Sequence, residues 1–139
     1  MTYTLTIPGR LPGLNEYINE CRTHAQRGAR MKRKHQEAVM WYILRDLGRK
    51  PIDHPVYLKF YWYEKDKRRD LDNISSYGRK IILDALVKSG KLYDDRWSYV
   101  VGYADKFRVD KDDPRIVVQI IEQEGTVKPH RRDGVVYRG

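Results

Sequence analysis

The most regular pattern in the chain is the alternation of side chains over residues 56–63, VYLKFYWY. Its even-numbered positions are Val, Leu, Phe and Trp, and its odd-numbered positions are Tyr or Lys. Side chains alternate across an extended strand, so the pattern predicts a strand with one apolar face against the core. The tyrosine face is amphipathic and suits a half-wet surface or a subunit contact.

Weaker patterns on either side complete an order of elements. Residues 8–19, PGRLPGLNEYIN, contain two prolines and two glycines, and we expect a loop there. The other predicted elements are a strand over 3–7, helices over 30–47 and 73–88, and strands over 97–109 and 115–121. The resulting order, β-α-β-α-β-β, predicts an α+β fold with a small mixed sheet and two helices mainly on one face.

Two local details of this prediction concern the second helix and the last strand. Asp72 or Asn73 is a suitable N-cap for the helix over 73–88, and Gly90 is a suitable stop. Residues 115–121 are apolar at both odd and even positions, which favours a strand buried on both faces.

The length of the chain limits the number of domains, and its charge indicates the kind of partner that it binds. At 139 residues, one domain is expected, which we assign to 1–124, with a basic and mobile tail over 125–139. The chain has 28 Lys and Arg against 19 Asp and Glu, a formal charge of +9, which favours a polyanionic partner. No apolar run approaches the ~20 residues of a membrane span. There is no signal-peptide pattern at the start and one cysteine only, so we expect a cytoplasmic protein without membrane contact.

Much of this positive charge lies in one segment, residues 21–36, which contains no acidic residue. Two interpretations fit this segment equally: contacts to nucleic-acid phosphates, or the solvated basic start of a helix. The candidate phosphate-binding residues are Arg27, Arg30, Lys32, Arg33 and Lys34.

The chemistry of the sequence is concentrated in RRDLDN, residues 68–73. Asp70 and Asp72 point the same way if the segment is extended, and a shared cation would relieve their mutual repulsion. Mg²⁺ fits because it takes oxygen ligands, keeps several waters and commonly binds one or two carboxylates plus a substrate phosphate. Asp94 or Asp95 offers a third carboxylate. The alternative is a helix cap at Asp72 with Asp70 paired to an arginine, and spacing alone favours this alternative.

Taken together, RRDLDN, the downstream KIILDAL and the later YDD resemble the RusA family of Holliday junction resolvases, which are small metal-dependent DNA endonucleases. TIPGRLPGLNEY also resembles the opening of that family, so the likeness runs from about residue 3 to about residue 121. The resemblance implies a RusA-like fold. It also implies that Asp70, Asp72 and Asp95 bind Mg²⁺, or Mn²⁺ in its place, with Asp94 as a neighbour of the site.

The resemblance further implies a catalytic lysine, for which Lys80 is the candidate. Well-known members of the family have it four residues after the second aspartate of the D-x-D motif, where this chain has Ser76. Lys80 comes about one helical turn later and stays on nearly the same helix face. Arg79, or the pair Arg68 and Arg69, is the alternative source of charge neutralisation, and all three are candidate DNA contacts.

The predicted function is Mg²⁺-dependent cleavage of four-way DNA junctions by paired phosphodiester hydrolysis, in recombination and repair. Because a junction has two opposed strands to cut, a two-fold homodimer is expected. A nuclease for other branched DNA, such as flaps or forks, is one alternative. A non-catalytic basic nucleic-acid-binding module is the other, although it leaves the carboxylates beside the basic surface without a role.

Overall fold

The computed structural model describes residues 1–129, and the backbone of 131–132 and 135–136. The elements are β1 (Thr2–Pro8), α1 (Leu14–Thr23), α2 (Ala25–Leu47), β2 (Val56–Glu64), α3 (Leu71–Lys88), β3 (Val100–Val109) and β4 (Arg115–Glu122), followed by a short antiparallel pair, β5 (Arg131–Arg132) and β6 (Val135–Val136). The order of the main elements is therefore β-α-α-β-α-β-β.

The main strands form one mixed sheet in the order β1-β4-β2-β3. β4 runs antiparallel to both β1 and β2, whereas β2 and β3 are parallel neighbours. Parallel neighbours need a crossover, and α3 supplies it, so β2-α3-β3 is a βαβ unit. The predicted α+β class with a small mixed sheet is confirmed.

The helices cover one face of this sheet, as predicted, and the core lies between the two layers. The alternation in β2 is also confirmed, since Val56, Leu58, Phe60 and Trp62 are buried while the odd positions stay partly exposed. α3 crosses close to β2 at Gly78, where a Cβ atom would lie 2.8 Å from the Trp62 ring. The glycine thus allows the helix to rest directly on the indole.

Burial of β4 on both faces was a wrong prediction. Ile116, Val118 and Ile120 are buried, but the alternate residues Val117, Gln119 and Ile121 are partly exposed. The strand is central and apolar in sequence, yet the helices cover only one side of the sheet.

Helix α1 was also missed, because its segment was expected to be part of a loop. Pro12 and Gly13 lie immediately before the helix, where they end the preceding loop instead of excluding a helix. The side chain of Asn73 accepts a hydrogen bond from the backbone N–H of Asn15 at 2.9 Å, which satisfies a free donor of the first turn. Gly13 makes room for that contact, because its Cβ would lie 2.7 Å from the Asn73 amide.

The starts of α2 and β3 also differ from the prediction by a few residues. α2 begins five residues early, with His24 as its N-cap accepting from the N–H of Gln26 at 3.2 Å. β3 begins at Val100 instead of Trp97, because the N–H groups of Tyr99 and Val100 bond back to the carbonyl of Arg96 in a turn.

The described start of the predicted tail is hydrogen-bonded to the domain. Val127 donates its N–H to the carbonyl of Asp53 at 2.9 Å, and the Tyr99 hydroxyl donates to the carbonyl of Lys128 at 2.8 Å. The rest of the predicted tail lies largely outside the described residues, so its mobility stays a prediction. In the part of the chain that the structure describes, none of the helices could cross a membrane.

Candidate active site

The RRDLDN motif lies where the carboxyl ends of β2 and β3 meet the N-terminus of α3. In a βαβ unit this end of the sheet faces the unpaired N–H groups and the positive dipole end of the helix, which favour anions such as phosphate. Asp70 precedes the helix and Asp72 lies in its first turn. Two exposed carboxylates thus occupy a position that suits a phosphate. They would repel a phosphate there unless a cation were bound between them.

Asp70 is the N-cap of α3. Its backbone is extended, with φ −72° and ψ 165°, and its Oδ1 accepts the N–H of Asn73 at 2.8 Å. The cap was expected at Asp72 or Asn73, and the difference arises because the helix begins two residues before the predicted start. The capping bond fixes one carboxylate oxygen of Asp70.

Asp72 heads a column of side chains spaced four residues apart on α3. This spacing keeps side chains on one helix face. The column continues through Ser76 and Lys80 to Asp84. Ser76 Oγ donates to Asp72 Oδ1 at 2.6 Å, so the residue at the usual family position of the lysine holds the second aspartate of the motif instead.

Lys80 joins this column to the loop that follows α3. Its Nζ lies 3.2 Å from Asp84 Oδ1 and 3.8 Å from Asp95 Oδ2. The hydrogen bond with Asp84 raises the pKa of Lys80, and the negative charges of Asp84 and Asp95 act in the same direction. Lys80 therefore carries a positive charge at neutral pH and draws Asp95 to the face of α3 that bears Asp72.

Asp94 and Asp95 are directed to different partners. Asp95 faces Lys80, whereas Asp94 Oδ1 accepts the N–H of Asp95 at 2.7 Å and Asp94 Oδ2 lies 2.9 Å from Arg96 Nε. The turn thus separates the two neighbouring carboxylates.

The donor set at this end of α3 is oxygen only, which is the chemistry of a hard cation such as Mg²⁺. Among the described residues, Oδ2 of Asp70 and Oδ2 of Asp72 make no hydrogen bond or ion pair, so each aspartate keeps an oxygen for a ligand. Over the same residues, no group of three or more His, Cys, Asp or Glu side chains has metal-binding geometry. The structure therefore gathers Asp70 and Asp72 at the helix start and Asp95 beside Lys80, without closing the three into one cluster. The carboxylates fit a cation that keeps several waters.

Arg69, predicted to contact DNA, is held inside the protein. Its guanidinium donates to both carboxylate oxygens of Glu64, at 2.8 and 2.9 Å from Nη2, and to the carbonyl of Leu11 at 3.2 Å. Only 12% of the Arg69 side chain and 7% of the Glu64 side chain are exposed. This bidentate pair fixes the segment that leads into Asp70.

Arg79 is similarly engaged. Its Nη1 lies 2.6 Å from Asp105 Oδ2, and its guanidinium lies over the Tyr103 ring at 4.5 Å. The other oxygen of Asp105 accepts from Trp62 Nε1 at 2.9 Å. Arg79 thus links α3 to β3 and to the indole under Gly78.

The remaining predicted DNA contacts are on the surface. Arg68 is largely exposed and lies 3.5 Å from Asp66, Arg27 pairs with Glu20 at 3.1 Å, and Lys32 lies 3.9 Å from Asp84. Within the described ranges, the other three cations make no ion pair and face solvent: Arg30, Arg33 and Lys34.

Glu64 and Asp105 were not singled out from the sequence, although they position the charged residues of this region. A signal for Glu64 was present, because it continues the even-numbered buried face of β2 and a buried carboxylate requires a cationic partner. No comparable signal marks Asp105, whose partners Arg79 and Trp62 are 26 and 43 residues away.

The fold and the carboxylates at the end of its βαβ unit describe a basic α+β protein with two exposed aspartates at a helix N-terminus. The family model for endodeoxyribonuclease RusA matches residues 11–121, most of the chain. The chain therefore belongs to the RusA endodeoxyribonuclease family, and this membership implies nuclease activity of the Holliday junction resolvase type. No curated protein matches the chain.

Proposed function

We propose that this protein is a Mg²⁺-dependent endonuclease that resolves four-way DNA junctions by paired hydrolysis of phosphodiester bonds, in recombination and repair. The observation that carries the proposal is the position of Asp70 and Asp72 at the N-terminus of α3, each with one free carboxylate oxygen. The family match over residues 11–121 supports the same activity.

In this proposal, Asp70, Asp72 and Asp95 hold the metal ion, and Mn²⁺ is able to replace Mg²⁺. A bound divalent ion would supply an acidified water and neutralise charge on the phosphoryl group. Asp70 and Asp72 have fixed directions, because Asn73 and Ser76 each bond one oxygen. Asp95 is the adjustable member, since it depends on a 3.8 Å contact with Lys80.

Lys80 has two roles in the proposal. It holds Asp95 toward α3, and its ammonium stabilises negative charge that develops on the phosphate during hydrolysis. The raised pKa keeps that ammonium protonated over the neutral range. Arg68 and the exposed cations of α2 attract the DNA backbone. Arg69 and Arg79 instead stabilise the elements around the site through their ion pairs with Glu64 and Asp105.

Two sites are needed for two opposed cuts, so we propose a homodimer with one site in each subunit. The uncovered sheet face with Tyr57, Tyr61 and Tyr63 is partly exposed and amphipathic, and it supports a subunit contact there. Sedimentation analysis of the free protein tests this part of the proposal independently of activity.

The activity is tested with matched DNA substrates. A four-way junction, a flap, a fork and a linear duplex of the same sequences are incubated with the protein, with Mg²⁺, with Mn²⁺ and with chelator. We expect metal-dependent paired cuts in the junction and little cutting of the duplex. Faster cutting of flaps or forks would instead identify another branched substrate. Binding of the junction without cutting under any metal condition would identify a non-catalytic binding module.

The site residues are tested with isosteric substitutions. Asp72→Asn should abolish cleavage and leave junction binding intact or tighter, because a negative charge near phosphate is lost. Asp95→Asn should slow single-turnover cleavage by at least about a hundredfold, since even residues behind metal ligands often cost tenfold to a hundredfold. Asp94→Asn is the matched control and should cost much less. A severe Asp94→Asn beside a harmless Asp95→Asn would contradict the assignment of Asp95.

A further inference from the structure

A groove of about 620 Å³ lies directly beside Asp70 and has no role in the metal chemistry described above. Its walls are the first turn of α3 and the ends of β2 and β3. Four apolar residues form its inner surface: Leu71, Ile74, Phe107 and Val109. Leu71 is 58% exposed and Val109 is 50% exposed, so these apolar side chains are open to a ligand.

The rim of this groove is charged. Lys67 and Arg108 contribute exposed cations, while Asp66 is offset by Arg68, whose Nε lies 3.5 Å away. Arg69 and Glu64 close the inner end as a bonded pair. The groove therefore has an apolar interior for an uncharged group. Its rim carries the carboxylate of Asp70 and the exposed cations Lys67 and Arg108, which are available to a phosphate attached to that group.

The position of the groove narrows the choice of ligand. Asp70 belongs both to its lining and to the proposed metal site, so a group in the groove would be adjacent to the reacting phosphate. The volume falls within the ~300–1,000 Å³ of ordinary small-ligand pockets. A nucleobase has apolar faces that stack on aromatic and aliphatic side chains regardless of sequence.

We propose that the groove binds one unstacked nucleobase of the cleaved strand, next to the scissile phosphate, between Leu71 and the side chains of Phe107 and Val109. This inference rests on the proposed nuclease function and adds a base-binding subsite to it. When a junction is opened so that its arms no longer stack coaxially, the bases at the branch point lack one stacking neighbour and cost less to unstack than bases inside a duplex. The groove thus favours cleavage at a branch.

The test uses abasic DNA. Junctions are prepared with a normal base or an abasic residue next to the mapped cut, and the ratio of their single-turnover cleavage rates is measured. For the unmodified protein we expect the abasic junction to be cut about tenfold or more slowly, in line with the energy of one stacked base. Val109→Ser should bring the ratio toward one, and Leu71→Ala should do so as well.

Val101→Ser is the matched control, because Val101 is on the same strand, is 53% exposed and does not line the groove. It should keep the ratio of the unmodified protein, and thermal melting checks that all variants are folded. An unchanged ratio in Val109→Ser, or no abasic effect in the unmodified protein while cleavage persists, overturns the subsite alone. Absence of cleavage in every substrate overturns the proposed function itself. If Val109→Ser alters sedimentation but not the ratio, the groove is a subunit contact and the proposal is wrong.

Discussion

The predicted DNA-binding cations fall into two groups that the structure treats differently. Arg69, just before α3, and Arg79, within it, have side chains only 12% and 18% exposed, and each is bonded to a carboxylate. Arg30, Arg33 and Lys34, on α2, extend from the surface without an ion pair among the described residues. Both groups contribute equally to the net charge of the chain. Only the α2 group, however, has positive charge that a polyanion can reach. The difference separates residues that shape the site from residues that attract DNA.

The largest expected effect is loss of stability in Arg69→Ala. The change leaves Glu64 buried with only the longer contact to Arg10, whose Nη1 lies 3.8 Å from Glu64 Oε1. Breaking a buried pair typically costs about 3–5 kcal/mol. Urea unfolding followed by circular dichroism measures the free energy of unfolding, with Arg30→Ala as the exposed control, expected within about 0.5 kcal/mol of the unmodified protein. A cost for Arg69→Ala as small as that of the control would remove the distinction between the two groups.

A smaller loss is expected for Arg79→Ala. The substitution removes the 2.6 Å contact with Asp105 and the contact with the Tyr103 ring. Asp105 remains bonded to Trp62 Nε1, so it is not left without a partner. We expect a cost of about 1.5–3 kcal/mol, typical of a hydrogen bond to a charged group. The same unfolding measurement checks it, and Asp105→Asn should cost less than Arg79→Ala if the Trp62 bond is kept.

Local patterns were readable in the sequence, whereas distant partners were not. The alternation over residues 56–63 identified the buried face of β2 because the period of a strand is a local property of the chain. The same rule, extended by one step, marks Glu64 as buried. α1 was missed because Pro12 and Gly13 are consistent both with a loop and with the boundary of a helix. The boundary depends on Asn73, which is 58 residues from the Asn15 N–H that it caps.

Within the candidate site, the motif identified the carboxylates, but their partners required the fold. Asp70 and Asp72 are close in sequence, so their proximity was predictable. The contact between Lys80 and Asp95, and the pairing of Arg79 with Asp105, depend on how the loop after α3 and the edge strand β3 return to the helix. Composition could not reveal which arginines form ion pairs with carboxylates inside the protein.

The exposed group should affect DNA binding and leave folding unchanged. A combined Arg30→Gln, Arg33→Gln, Lys34→Gln variant should unfold at the urea concentration of the unmodified protein. Its junction affinity should fall about tenfold at moderate salt, and the slope of log affinity against log salt should become shallower by roughly 0.9 for each phosphate that the variant no longer neutralises. Fluorescence anisotropy over a salt series measures both quantities. An unchanged slope would exclude these cations from the DNA interface.

The smallest expected effect is on DNA affinity and concerns Arg27, which is exposed like the α2 cations but paired with a carboxylate like Arg69 and Arg79. Arg27 lies on α2, but its Nε is 3.1 Å from Glu20 Oε2, and both side chains are substantially exposed. Such surface pairs contribute only about 0.2–1 kcal/mol, so Glu20→Gln should change stability little while releasing Arg27 and removing a negative charge near the basic face. We expect junction affinity to rise about twofold to threefold, an effect that disappears at high salt because exposed charges are screened. Glu37→Gln is the control, since it removes the same charge from an exposed position of α2 without freeing Arg27. Anisotropy titrations of both variants at two salt concentrations distinguish the cases. An equal gain in both would show that total charge matters more than the freedom of Arg27, and the division of the cations by their partners would then apply only to the buried pairs.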